Sequence, residues 1–277
     1  MTWRAVVRAL DDGASFRSKV SLYLHPLGGR PVLWHVLHAL SEVTPPPERI
    51  LVVHRGGQTP GLPDPFPVPL ETTAAALPDD EAATLRGVFG NGGLVLLIDG
   101  AAPLVSAGSL TCLVAAASQG TAWLEGRGPA REWIAIAGDA RELAASEGWR
   151  AVPAATVSAG APAEALRVRD RQSFGEASVA LRDLIVRHHQ ANGVTFVLPA
   201  TVWVDVDVII GADTVVYPSA VLEGRTEIGS ECVIGPHCRL SEATIGRGVE
   251  LKGWNYVART SIRNHAVLEA HVRRGFE

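Results

Sequence analysis

Aliphatic residues recur every six positions through the last third of this chain, and few folds tolerate that period. Val204, Ile210, Val216, Leu222, Ile228, Ile234 and Leu240 stand six apart. The count slips by one to Ile245, resumes at Leu251 and Val257, slips again to Ile262 and ends at Leu268. A second register of mostly small residues runs in fixed phase with the first: Val208, Thr214, Ala220, Thr226, Cys232, Cys238, Val249, Asn255, Ala266 and Val272. Two residue classes locked at a six-residue period predict a hexapeptide β-helix. In that fold the chain winds as a triangular prism. Each six is one flat strand plus a corner, and three sixes close a coil. The aliphatic residue fills the interior and the small one fits near the corner. One coil cannot bury its own core, so coils must stack, and about twelve sixes predict roughly four of them. Ordinary strand alternation has period two and gives no reason for a small second register.

The chain has 277 residues, enough for two domains, and 47% of them are hydrophobic, enough for two cores. A net charge of −4 leaves no electrostatic footprint for nucleic acid. Three cysteines are too few for a disulfide scaffold. Cys232 and Cys238 fall in the small register and read as buried fillers rather than a metal pair. Cys112 lies in an apolar helical stretch and is expected in the core. Arg8, Asp11 and Asp12 interrupt any apolar leader, so no signal peptide is expected. No run of eighteen apolar residues is present, which argues against a membrane span. A cytoplasmic location is expected.

Residues 1–172 read as an α/β domain, 173–193 as a connector helix and 194–277 as the β-helix. Ala5 to Leu10 is a short apolar strand with Arg8 in it. Val32 to Leu40 carries helical spacing, and Ile50 to Val53 is a second strand. Residues 56–79 are rich in Gly and Pro and read as loop. Leu94 to Ile98 is a continuous apolar run before Asp99-Gly100, which fits a central strand buried on both faces. Ser109 to Ser118 follows as a helix. Strands alternating with helices predict a doubly wound sheet, with ligands beyond the C-terminal strand ends. Residues 121–167 offer only a few possible strands. Phe174, Ala177, Leu181, Leu184 and Ile185 form one stripe of an amphipathic helix that stops at Asn192-Gly193. His188 and His189 point about 100° apart on that helix and are not expected to share an ion.

Several segments carry a resemblance. "LHPLGGRPVLWHVLHAL" at Leu24 to Leu40, "IDGAAPL" at Ile98 to Leu104, "VRDR" at Val168 to Arg171 and the stretch from Asn192 into the prism are together similar to one family. It is the bacterial bifunctional uridyltransferase and acetyltransferase that makes UDP-N-acetylglucosamine. The resemblance implies a nucleotidyltransferase-like domain, a left-handed β-helix and packing of prisms as trimers. It also implies a phosphate loop, which falls on Arg8 to Phe16. In that vestigial loop of Asp11, Asp12, Gly13 and Ser15, Asp11 replaces a glycine, Ser15 replaces an arginine, and Asp11 and Asp12 put negative charge where phosphates would sit. Like charges that close cost on the order of several kcal/mol when partly desolvated. The family's catalytic lysine falls on Leu22, with Lys19 nearby but out of place. Its metal-binding aspartate falls on Ala101 and its metal-binding asparagine on Arg169. Asp99 shares the strand face with position 101, about 7 Å along. The family's sugar-binding segment between those motifs is not found. Its acetyl-transfer residues lie beyond Glu277, leaving only Arg273 at an early acceptor position, so the prism reads as a truncated stub.

The expectation is therefore a degenerate relative, a binding, regulatory or assembly subunit with no catalytic residues, no metal and no cofactor. The alternative is an active sugar-1-phosphate nucleotidyltransferase of the UDP-N-acetylglucosamine pyrophosphorylase type, with Mg²⁺ held by Asp99 and by Asp11 or Asp12. A homo-oligomer, favoured as a trimer, is expected through outward residues Trp203, Val215, Val221 and Val233. A heteromeric protein partner is the other way to cover them. Trp203, Trp254 and Tyr256 are expected to pack on the connector helix or on another subunit.

Overall fold

The structure is a computed structural model that describes residues 2–10, 14–55, 65–75, 87, 92–126, 133–145 and 155–275. The chain divides into two compact units, Met1–Pro26 with Arg30–Ala177, and Leu27–Gly29 with Ser178–Glu277. The division falls inside one helix, Arg171–Ala191.

The first unit is built on a seven-stranded sheet. Its order is Leu70–Ala74, Ile50–His54, Trp3–Ala9, Leu94–Asp99, Trp133–Asp139, Ala122–Glu125 and Ala155–Val157. The first four strands are mutually parallel. Trp133–Asp139 runs antiparallel to both its neighbours. Leu94–Asp99 sits in the middle, and Val95 to Asp99 are all buried, as a continuous apolar run should be when both faces are covered. The Gly/Pro-rich stretch read as loop contains a strand, because Leu70–Ala74 pairs with Ile50–His54. As the edge strand it is only half-covered, so it needs no apolar run, and Pro69 lies just outside it. Among the described residues of 121–167 three strands form where sequence reasoning could not order them.

The helix expected at Ser109 starts earlier, at Ala107, and runs to Ala116. Ser106 caps it, its Oγ accepting from the Ser109 N–H at 3.1 Å. The buried face is Ser109, Leu110, Leu113 and Val114. Cys112 is two residues from Leu110, about 200° round the helix, and is exposed. Its place in an apolar stretch was misleading, since only one face of this helix is covered.

The second unit winds as a left-handed parallel β-helix. Three parallel sheets of five, five and four short strands make its faces. Val216 pairs with Ile234, Ile234 with Leu251 and Leu251 with Leu268. Leu222, Leu240 and Val257 align on the second face, and Ile210, Ile228, Ile245 and Ile262 on the third. Both slips in the count are absorbed at corners, so the aliphatic residue still points inward. Every member of that register from Val204 to Val257 is buried. Corner residues Asp213, Ser219, Glu231, His237, Glu242, Trp254, Arg259, His265 and His271 all have positive φ. A non-glycine residue adopts that conformation only at some cost, and here the stacked strands on either side hold it. The small register is buried too from Val208 to Asn255: Thr214 Oγ1 donates to Gly229 O at 3.0 Å and Thr226 Oγ1 to Glu223 O at 2.7 Å, while Asn255 Oδ1 accepts from the Val272 N–H and its Nδ2 is buried without a partner. Cys232 and Cys238 are buried free thiols, and burial pushes both thiols up in pKa.

The helix Arg171–Ala191 opens on a reciprocal cap. Asp170 Oδ1 accepts from the Ser173 N–H at 2.8 Å, and Ser173 Oγ accepts from the Asp170 N–H at 3.0 Å. The Ser173 hydroxyl also holds the Asp170 carboxyl below the usual carboxylate range. The helix gives way to Gly193 at φ 88°, the left-handed stop that the sequence announces. Its buried residues are Ala177, Leu181, Val186 and His189, whereas Leu184, expected in the stripe, is exposed. Among the described residues no helix is long and apolar enough to cross a membrane.

Candidate functional site

In an open α/β sheet the place to look is the C-terminal end of the parallel strands. There Leu94–Asp99 ends beside Trp3–Ala9, with Asp99 in register with Arg8. Arg8 Nη1 lies 3.3 Å from Asp99 Oδ2. Arg167 forms a second ion pair with the same oxygen. Oδ1 accepts from the Ala101 N–H at 2.8 Å. The Arg167 segment is brought there by the backbone, because the Val168 N–H donates to Ala101 O at 2.8 Å. Gly100 has no room for a side chain, as a Cβ would meet Arg8 O and Leu33 Cδ1 at 3.1 Å each. The Asp99 side chain is 1% exposed under guanidiniums that are 17% and 24% exposed. Two arginines thus share one buried carboxylate at this strand end.

The other candidate positions surround it unevenly. Asp11, Asp12 and Gly13 lie outside the described residues. Ser15 is exposed in the single turn Ala14–Phe16. Phe16 anchors that turn, its ring 4.5 Å from His25 and 5.8 Å from Phe174, with Arg171 Cζ 5.0 Å from its centroid. Leu22 is fully buried and Ala101 nearly so. Arg169 donates its N–H to Ser173 Oγ at 2.9 Å. The Mg²⁺ that the resemblance implies for an active enzyme does not fit these residues. Both Asp99 oxygens are engaged by N–H donors, Ala101 offers no side-chain ligand, and Arg169 is cationic. Among the described residues no three His, Cys, Asp or Glu side chains gather as a metal set. Sequence reasoning marked Arg8 as a charge inside an apolar strand but missed Arg167, which nothing local distinguishes.

Besides the two thiols, the second unit buries Asp205 and His189. Asp205 accepts from Trp203 Nε1 at 2.9 Å and from the Gly224 N–H at 2.9 Å, yet burial still raises its pKa. His189 is buried, and burial, with the His188 charge adding, lowers it to about 4. The two imidazoles meet edge to face with centroids 5.5 Å apart, one exposed and one buried, so they do not converge on an ion. Within the chain Trp254 does not pack on the connector helix. It is 54% exposed and stacks between His237 and His271 at 4.8 and 5.7 Å. Tyr256 lies between Arg239 and Arg273 at 5.4 and 5.9 Å.

A pH dependence follows. The unfolded His189 titrates near 6.5 and the folded one near 4. A histidine lowered on folding contributes stability in full above about pH 6.5, lost as pH falls toward about 4. Asp205, raised on folding, acts in the opposite sense and adds stability as pH falls through its folded value. The unfolding free energy of this unit, read by urea titration, should drop between pH 7 and 4.5, by up to about 3 kcal/mol from His189. His189→Phe should flatten that slope, and an unaltered slope in the variant would refute the assignment.

Comparison with known proteins adds the family context. The family model "Bacterial transferase hexapeptide (six repeats)" matches residues 207–242. The "Bifunctional protein GlmU" of Bacillus velezensis is 38% identical over 112 residues, covering 40% of this chain and 24% of that protein. The protein of the same description from Mycobacterium leprae is 29% identical over 319 residues, covering 89% of this chain and 64% of that protein. The chain thus spans less than two thirds of the length of either relative. Among solved structures, a nucleotidyl transferase from Methanothermobacter thermautotroptrophicus matches with a TM-score of 0.49 at 19% identity, over 68% of this chain and 99% of that one.

Proposed function

We propose that this chain, a GlmU-like, sugar nucleotidyltransferase-like protein, acts as a binding, regulatory or assembly subunit rather than as a working transferase. One observation carries the reading: Asp99, the acidic residue at the strand end, is clamped by Arg8 and Arg167. Phosphoryl-type transfer needs metal and positive charge placed around the reacting phosphates. Here the lysine position is the buried Leu22 and the carboxylate position is the buried Ala101. Calorimetry should detect no binding of UTP with Mg²⁺ tighter than about millimolar, roughly −4 kcal/mol. Micromolar binding would overturn the proposal.

A second reading, an active sugar-1-phosphate nucleotidyltransferase, is favoured by two guanidiniums at the strand end where ligands of such sheets bind. An alignment covering 89% of the chain also suits it. Pyrophosphate released from UTP and a sugar 1-phosphate would establish it.

The proposed subunit self-associates through its prism, with a trimer favoured, and works in the cytoplasm. Val215 and Val233 pair outward on one face, where Glu250 separates them from Val267, and Trp203 and Val221 pair outward on another. Apolar rows on a rigid face suit an interface better than water. Light scattering should give about three times 29.3 kDa. A monomer at micromolar concentration would refute self-association and leave a heteromeric partner to cover those rows.

A further inference from the structure

Within the second unit a cleft of about 700 Å³ lies between the C-terminal half of the helix Arg171–Ala191 and the first coil. That volume lies within the range of small-molecule sites, which are mostly apolar with a few placed polar groups. Leu184 and Ile185 form one wall, and Val208 and Ile209 the other. Two of these, Leu184 at 36% and Ile209 at 60%, are unusually exposed for large aliphatic residues. Asp207 supplies the one carboxylate of the lining, and no lysine or arginine joins it.

The polar end of the cleft is His189. It is 6% exposed, yet among the described residues neither ring nitrogen has a hydrogen-bond partner. Neither nitrogen is sealed from solvent, and the residue lines the cleft, so the opening reaches it. Burial keeps the ring neutral at ordinary pH. A neutral imidazole offers one donor and one acceptor, and a ligand entering the cleft takes them over from water. Asn192 Nδ2, next to it on the lining, is already turned to His188 O at 2.9 Å.

We infer that this cleft is a binding site for a non-anionic small molecule with an apolar body and one hydrogen-bonding head. The body rests on Leu184, Ile185, Val208 and Ile209, and the head meets the His189 ring. The carboxylate of Asp207 and the lack of any lysine or arginine in the lining disfavour an anion. The site lies wholly in the β-helix unit and holds whether or not the sheet unit binds nucleotide.

N-Phenyl-1-naphthylamine, a neutral fluorophore with a fused-ring body and one N–H, is the probe. Titrated into the full chain, it should give a saturable emission rise at one site per chain. Ile209→Glu, made at a position already open to solvent, should weaken binding at least tenfold without changing the thermal transition. His189→Phe keeps the apolar volume and should weaken binding about fivefold, the loss of one hydrogen bond. No saturable signal, or equal affinity in wild type and Ile209→Glu, overturns the site. Equal affinity in His189→Phe overturns the assigned head. If the wild type binds no probe and Ile209→Glu splits an oligomer, the cleft is covered by a second copy and the inference fails.

Discussion

Ile228→Asp should unfold the β-helix. Ile228 is buried between Ile210 and Ile245 on the third face. The substitution removes roughly 2–3 kcal/mol of apolar burial. It also leaves a carboxyl with no partner in an aliphatic interior, which costs a further few kcal/mol even after the group takes up a proton. The sum, more than about 4 kcal/mol, is comparable to the whole stability of a typical domain. Coils contact only their neighbours, so a break in the middle deprives both sides of a stacking partner. Val233→Lys, by contrast, changes an outward residue that pairs with Val215 and Glu250. It should keep the circular dichroism spectrum and the melting transition, and it should dissociate any oligomer built on that face. A cooperative transition in Ile228→Asp within about 1 kcal/mol of wild type would mean that the inward register is misassigned.

Asp99→Ala should cost the sheet unit about 3 kcal/mol, because removing one partner of a buried ion cluster leaves the other charges uncompensated. Arg8 and Arg167 both lose their shared oxygen, and the Ala101 N–H loses its acceptor. Adding Arg8→Met to Asp99→Ala should recover part of the loss. Denaturant titration of the two singles and the double would measure that coupling. The result also separates the two functional readings. A structural clamp predicts a large stability change with no change in nucleotide affinity. A loss below about 1 kcal/mol, accompanied by loss of Mg²⁺-dependent nucleotide binding, would make Asp99 a ligand and defeat the subunit proposal.

The β-helix was legible in the sequence because its repeat is local. The inward register from Val204 to Val257, the small residues beside it and the absorbed slips all follow from a six-residue period that packing must respect. The central strand at Leu94 and the helix stop at Asn192-Gly193 were legible for the same reason, since a buried run and a left-handed glycine leave marks on adjacent positions. The sheet's edge strand at Leu70–Ala74 was not, because a half-covered strand needs no apolar pattern. Cys112 was misplaced because composition cannot say which face of a helix is covered. At the candidate site, the types at Leu22, Ala101 and Asp99 were readable. Their meaning was not, because Arg8 reaches Asp99 across 91 positions and depends on the register of two strands. His189 was read from its spacing with His188. Only the winding of the first coil turned it into a buried imidazole, bonded to no described residue, with a cleft in front of it. Periodicity and composition act over a few residues and so determine the winding of the chain. Charge pairing and burial depend on which distant segments meet, and the tertiary structure decides that.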